Sequence, residues 1–334
     1  MSNQAWAISL RDKWTPLSVG RKIFLIAYSF VVIWALGIVT FYAVGSSEPT
    51  ASSSTEGAIE LAPQGGPAQH FIRYRNAYDS SRGADDRGVP AWRRFAAAAP
   101  AAVGRPMIAI VIDDMGPNQK NARRAMTMPA PLTLSFLPYA DDLTPMVTRA
   151  RANGHEVLLH LPMEPKNGKV HSPGPNSLMT NLQNGELTRR LIWNLERFKG
   201  YVGINNHMGS RFTSDANALA PVMAELRARG LLFLDSRTTT QSAGRRVAKQ
   251  TGVPYGRRDI FLDNERSATQ VAAQLREVEA VARQNGIAIA IGHPHDQTLD
   301  ALEQWIGDLE QRGFVLVPVS AVVAHTYRIA AGKK

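Results

Sequence analysis

Residues 106–334 read as an α/β fold built on a parallel sheet. Three features carry this expectation: short apolar runs, segments of helical period between most of them, and polar, metal-competent residues where the runs end. About 229 residues with seven or eight candidate strands favour one (β/α) barrel over two separate domains, with an open doubly wound sheet as the alternative.

In chain order, the first run, 107–112, leads into Asp113 and Asp114 and then a helical pattern at 119–126. A run at 132–136 precedes a helix at 145–152, and the run 156–160 ends in His160. After a helix at 187–198, the run 202–205 opens the sequence Asn205-Asn206-His207. A helix at 215–229 precedes the run 231–234, which ends in Asp235, and the run 260–262 ends in Asp263. A helix at 268–284 leads to the run 287–291 and His293, and a helix at 299–311 leads to the last run, 314–317. A lone Asp after a strand is ordinarily a cap or turn residue, and a lone His an ordinary hydrogen-bonded group. Several strands ending this way point instead to one shared site, because the C-termini of parallel strands converge on one face.

The N-terminal part has a different character. Residues 23–44 form a stretch of 22 residues without a charge, apolar on every face, with Trp34, Phe41 and Tyr42 within it. At about 1.5 Å per residue it is long enough to cross a hydrocarbon core of about 30 Å. A membrane anchor is expected, the rival being a signal peptide cleaved near Ala43-Val44-Gly45. Basic residues precede the stretch and acidic ones follow it, which places residues 1–22 in the cytoplasm and the bulk of the chain outside. Residues 45–105, rich in Ala, Ser, Gly, Pro and Arg, are expected to be a disordered tether, with room for a short helix near 74–78 or 92–95.

Composition removes several function classes. The absence of Cys excludes disulfides, thiolate zinc sites and cysteine nucleophiles. Of the net charge of +10, residues 1–22 carry +3 and residues 45–105 carry +1, so the folded part spreads +6 without a basic run, and nucleic acid is not an expected partner. Phosphate-binding glycine motifs and a nucleophile elbow are missing. Carboxylates gathered with imidazoles suit instead a divalent ion of the zinc class and an activated water. Since side chains alternate along a strand, one of Asp113 and Asp114 would bind metal and the other act as base or orient a ligand, with His293 supplying a proton. A metal-dependent hydrolase follows.

The successive segments IAIVIDDMG, GHEVLLHLPMEP, GINNHMGSRFT, LFLDSRT, RRDIFLDN and AIAIGHPHDQTLDAL resemble the divergent polysaccharide deacetylase family from about Pro106 to the end of the chain. That resemblance implies a distorted (β/α) barrel of about seven strands that removes acetyl groups from a glycan with a metal held by Asp, His and His. It makes Asp113 the base, Asp114 and His160 metal ligands, His293 the general acid and Asp235 the residue that orients the acid. The third ligand departs from the pattern: Glu164 stands where a second His is usual, so either Glu164 is the third ligand or His207 replaces it, His207 being favoured. Two function classes follow. One is a zinc-class deacetylase acting on envelope polysaccharide or peptidoglycan from the periplasmic side of a bacterial inner membrane. The other is a non-catalytic module that binds glycan or a partner on the same barrel.

Overall fold

The computed structural model describes residues 88–129, 131–168 and 172–332. The expected cytoplasmic segment, the membrane anchor and the tether through residue 87 lie outside the described residues, among which no helix is long and apolar enough to cross a membrane.

Strands and helices alternate. A helical turn, α1 (Ala91–Arg94), precedes β1 (Met107–Met115), α2 (Gln119–Ala125), β2 (Thr133–Phe136), α3 (Leu143–Ala152), β3 (Glu156–Met163) and α4 (Asn184–Leu195). The chain continues through β4 (Gly203–Met208), α5 (Ala216–Arg229), β5 (Leu232–Asp235), α6 (Gly244–Thr251), β6 (Tyr255–Arg257) and β7 (Ile260–Phe261). It ends with α7 (Ala268–Asn285), β8 (Ile287–Gly292), α8 (Asp296–Gly307), β9 (Val315–Leu316) and α9 (Val319–Gly332). Local chemistry sets the helix starts: Asn118, Asp215 and Ser267 each accept a backbone N–H of the first turn of α2, α5 and α7. Helix α7 stops at Gly286, whose φ of 77° is one that a side chain resists.

Every ladder is parallel, in the order β6-β5-β4-β3-β2-β1-β8-β7. The two edges of this curled sheet are consecutive in the chain. Only Arg258 and Asp259 separate β6 from β7; the Arg258 N–H donates to Asp235 O at 2.9 Å, and the Asp259 N–H donates to Ile289 O at 2.8 Å. Residues 255–261 therefore act as one kinked stave, its first half bonded to β5 and its second to β8. Counted this way the ring has seven staves, the expected number, although nine strands are formed. Strand β6 carries no apolar run, which hid it in the sequence. Strand β9 pairs with the start of β1, on the edge that β2 occupies higher up.

Alternation along the strands separates two apolar layers. Ile108, Ile110 and Ile112 pack outward against helices, whereas Ala109, Val111, Leu158, Leu234, Ile289 and Ile291 fill the interior with Val319, Val322 and Val323 of α9. A Cβ on Gly256 would stand 3.1 Å from Val323 and 3.3 Å from Leu234, so this stave carries no side chain where α9 enters. The start of α9 is pinned by buried Glu156, whose Oε1 accepts the Ser320 N–H at 2.9 Å and whose Oε2 accepts the Ser320 hydroxyl. Trp92 joins the interior layer, 5% exposed, and its backbone N–H donates to Gly230 O at 2.8 Å. Arg151 also holds Phe95 O. The short helix for which the sequence leaves room near 92–95 thus forms at Ala91–Arg94, where the buried side chain of Trp92 helps to fix it.

Candidate functional site

The end of β1 breaks the alternation. Between Ile112 and Met115 the chain spends one residue more than β2 does between Leu134 and Phe136, a β-bulge, and Asp114 has φ of 54°. The extra residue and the left-handed turn bring both carboxylates to the mouth of the barrel, where a regular strand would send them to opposite faces. A non-glycine residue held this way costs about 1–3 kcal/mol, which the surrounding structure must sustain. Met208, directly after His207, is also left-handed, at φ 53°.

Asp114, His160 and His207 converge. Asp114 Oδ1 lies 2.9 Å from His207 Nδ1 and 3.2 Å from His160 Nε2, and the two ring nitrogens lie 3.2 Å apart. Although buried, Asp114 Oδ1 has no hydrogen-bond partner. Four ligands on a zinc-class ion at about 2.0–2.1 Å stand about 3.3 Å from one another. The three atoms thus already have the spacing of one face of such a shell, and the unsatisfied oxygen is what that shell needs. The donor set of one carboxylate and two imidazoles fits the ion. Burial pushes the Asp114 carboxyl up, but the two imidazoles outweigh it and hold the group well below the usual carboxylate range.

Asn205 organises one side of this triad. It pairs with His160 in the β3–β4 register and is wholly buried. Its Oδ1 accepts from Ser135 Oγ at 2.5 Å and from His160 Nδ1 at 2.9 Å, and its Nδ2 donates to Asp113 Oδ1 at 2.7 Å and Ser236 Oγ at 3.1 Å. With Nδ1 donating to Asn205, His160 turns the lone pair of Nε2 toward Asp114 and His207. Asn206 faces the other way and accepts the Ser236 N–H. Burial raises Asp113 above the ordinary carboxylate value, even though His160, His293 and Asn205 draw it down.

His293 stands on the other side, its Nε2 3.8 Å from Asp114 Oδ2. Asp263 grips it twice: Oδ1 lies 3.0 Å from His293 Nδ1, and Oδ2 accepts the His293 backbone N–H at 2.6 Å and the Thr298 hydroxyl at 2.8 Å. Burial lowers the imidazole value, but Asp263, Asp113 and Asp114 outweigh it and push His293 up to about 9. His295 stacks on His293 with ring centroids 5.7 Å apart and completes a second cluster with Asp263. Both Asp263 oxygens are engaged, so that cluster fixes His293.

One expectation is corrected, and the alternative third ligand is placed elsewhere. Asp235 does not reach His293. It follows Phe233 on the outer face of β5 and accepts from Ser242 Oγ at 2.6 Å, Tyr255 Oη at 3.1 Å and the Arg237 N–H at 2.8 Å, so it fastens the β5–α6 connection. Asp263 holds the position foreseen for it. Glu164 does not join the triad either: its Oε2 accepts the Thr180 N–H at 2.6 Å and hydroxyl at 2.7 Å, and Arg211 pairs with Oε1 at 3.4 Å. His207, by contrast, lies within the triad.

Residues 110–323 match the profile of the divergent polysaccharide deacetylase family. YibQ of Escherichia coli is 37% identical over 202 residues, spanning 60% of this chain and 63% of YibQ. A protein of Haemophilus influenzae is 32% identical over 205 residues, spanning 61% of this chain and 72% of its own length. The crystal structure of a protein from Agrobacterium tumefaciens covers 72% of this chain and 97% of its own, with a TM-score of 0.68 and 32% identity. The chain belongs to the divergent polysaccharide deacetylase family.

Proposed function

We propose that the protein is a metal-dependent hydrolase that removes acetyl groups from an envelope glycan such as peptidoglycan, held at the inner membrane by residues 23–44 with its barrel in the periplasm. The observation that carries the chemistry is the triangle of Asp114 Oδ1, His160 Nε2 and His207 Nδ1 with Asp113 on one flank and His293 on the other. A zinc-class ion bound by the three would polarise the acyl carbonyl and acidify the attacking water. Asp113 Oδ2 lies 3.6 Å from His160 Nε2, beside the triad, and its raised affinity for a proton suits a base that takes one from water. Asn205 keeps the other oxygen of that carboxylate occupied, so that Oδ2 is the one free to act. His293, charged and aligned by Asp263, is placed to protonate the leaving amine or alkoxide.

The test is acetate release from acetylated chitooligosaccharides and from peptidoglycan by the full chain supplied with zinc, together with its metal content. Stoichiometric zinc with acetate release supports the hydrolase. Bound metal without acetate from any acetylated glycan leaves the barrel as a binding module, and failure to bind zinc, cobalt, nickel or manganese removes the metal reading.

A further inference from the structure

The kinked stave carries a guanidinium that the acyl chemistry does not use. Arg258 Nε donates to Ser236 O at 2.7 Å and Nη2 to Arg237 O at 3.0 Å, and the group lies 4.9 Å above the centre of the Phe261 ring. Phe261 in turn meets His293 edge-on, with ring centroids 5.5 Å apart. Ser236 links the same guanidinium to Asn205, and through it to Asp113. Arg258 is therefore fixed one aromatic ring away from His293 and two hydrogen bonds from Asn205.

Arg237 stands beside it. Its backbone is left-handed, at φ 51°, and its side chain makes no hydrogen bond, ion pair or ring contact among the described residues. Arg258 likewise has no ion pair among them. Most other arginines near acidic residues here are paired, as Arg124 is with Asp300 and Glu303. Two adjacent, half-buried cations repel each other; burial and then Arg237 draw Arg258 below its ordinary value, and Asp113, Asp235 and Asp259 offset this only in part, none of them in a direct ion pair with it. A bound anion relieves both effects, and the planar fork of an arginine suits the two oxygens of a carboxylate or phosphate.

We propose that Arg237 and Arg258 form an anion subsite beside His293 that receives a carboxylate or phosphate carried by the saccharide on which the site acts. This rests on the hydrolase reading for the identity of the saccharide, and its test does not depend on turnover. The full chain is titrated calorimetrically with glucuronate, glucose 6-phosphate and, as the neutral probe, methyl glucoside. At least one anionic probe is expected to bind about tenfold more tightly than methyl glucoside, the scale of a charge-assisted contact. Preference for glucuronate alone assigns a carboxylate, preference for the phosphate alone assigns a phosphate, and preference for both assigns the shared anion. Arg237→Gln is expected to remove the preference with an unchanged thermal midpoint, and Arg237→Lys to restore part of it. Equal affinity for all three probes overturns the subsite, as does a preference that survives in Arg237→Gln. Loss of acetate release with the anion preference intact would remove the hydrolase and keep the subsite.

Discussion

Two histidines face Asp114 from opposite sides of the barrel mouth, and each is held at Nδ1 by an oxygen. His160 has the amide oxygen of Asn205, a neutral acceptor that fixes the tautomer and leaves a lone pair at Nε2. His293 has the carboxylate of Asp263, which stabilises the charged ring. The residue type is the same and the partner differs, an amide oxygen at one ring and a carboxylate at the other, which is the difference that the proposed roles of ligand and acid require.

The largest effects break this division outright. His160→Ala and Asp114→Ala are expected to lose stoichiometric metal and reduce acetate release to background, read by elemental analysis and acetate assay. His293→Ala and Asp113→Ala are expected to keep the metal and lose about 10²–10⁴-fold in turnover, the usual contribution of a positioned acid or base. Metal loss in His293→Ala would erase the distinction.

The partners come next. Asn205→Ala removes the acceptor of His160 and is expected to weaken zinc affinity about 10–100-fold, measured by competition with a chelating dye. Asp263→Asn keeps a hydrogen-bond acceptor and deletes the charge, so His293 falls from about 9 toward 6.5. The basic limb of the kcat/KM profile then moves to lower pH, and the rate at pH 7.5 falls about tenfold while metal content holds. The raised value also ties stability to pH: the His293–Asp263 pair contributes fully below 6.5, and the contribution fades as pH rises through about 9. Asp263→Asn is expected to flatten that part of the melting curve against pH.

The smallest effect lies at the floor of the barrel. Burial raises Glu156 above 4.5 despite the bonds from Ser320, so its contribution to stability is complete below 4.5 and is lost as pH rises through the folded value. Glu156→Gln keeps the acceptor for the Ser320 N–H and is expected to raise the melting midpoint by about 2–4 °C at pH 8, with no gain at pH 4.

Much of this was legible because strand ends announce themselves. The runs before Asp113 and His293 are long and apolar and those before His160 and His207 are shorter, and each forms a strand. The short, polar elements β6 and α6 were missed because YGR and GRRVAKQT offer little to bury. Asp235 and Asp263 look alike in sequence, each closing an apolar run. Face decides between them, and the alternation of Leu232 and Leu234 inward against Phe233 outward already puts Asp235 outside. The bulge at Asp113 and Asp114 was not legible, since it arises from the match of β1 to β2 and not from either strand alone.

The kinked stave leaves the ring fastened like a clasp. No ladder joins β6 to β7; the ring closes there through the chain itself, with one backbone bond from Arg258 to Asp235 and one from Asp259 to Ile289. Phe261 and the backbone that leads to Asp263 sit on the β8 half of that clasp, while the ligands of the triad are on β1, β3 and β4, away from it. The clasp therefore carries the Asp263–His293 side of the mouth and not the side of Asp114, His160 and His207.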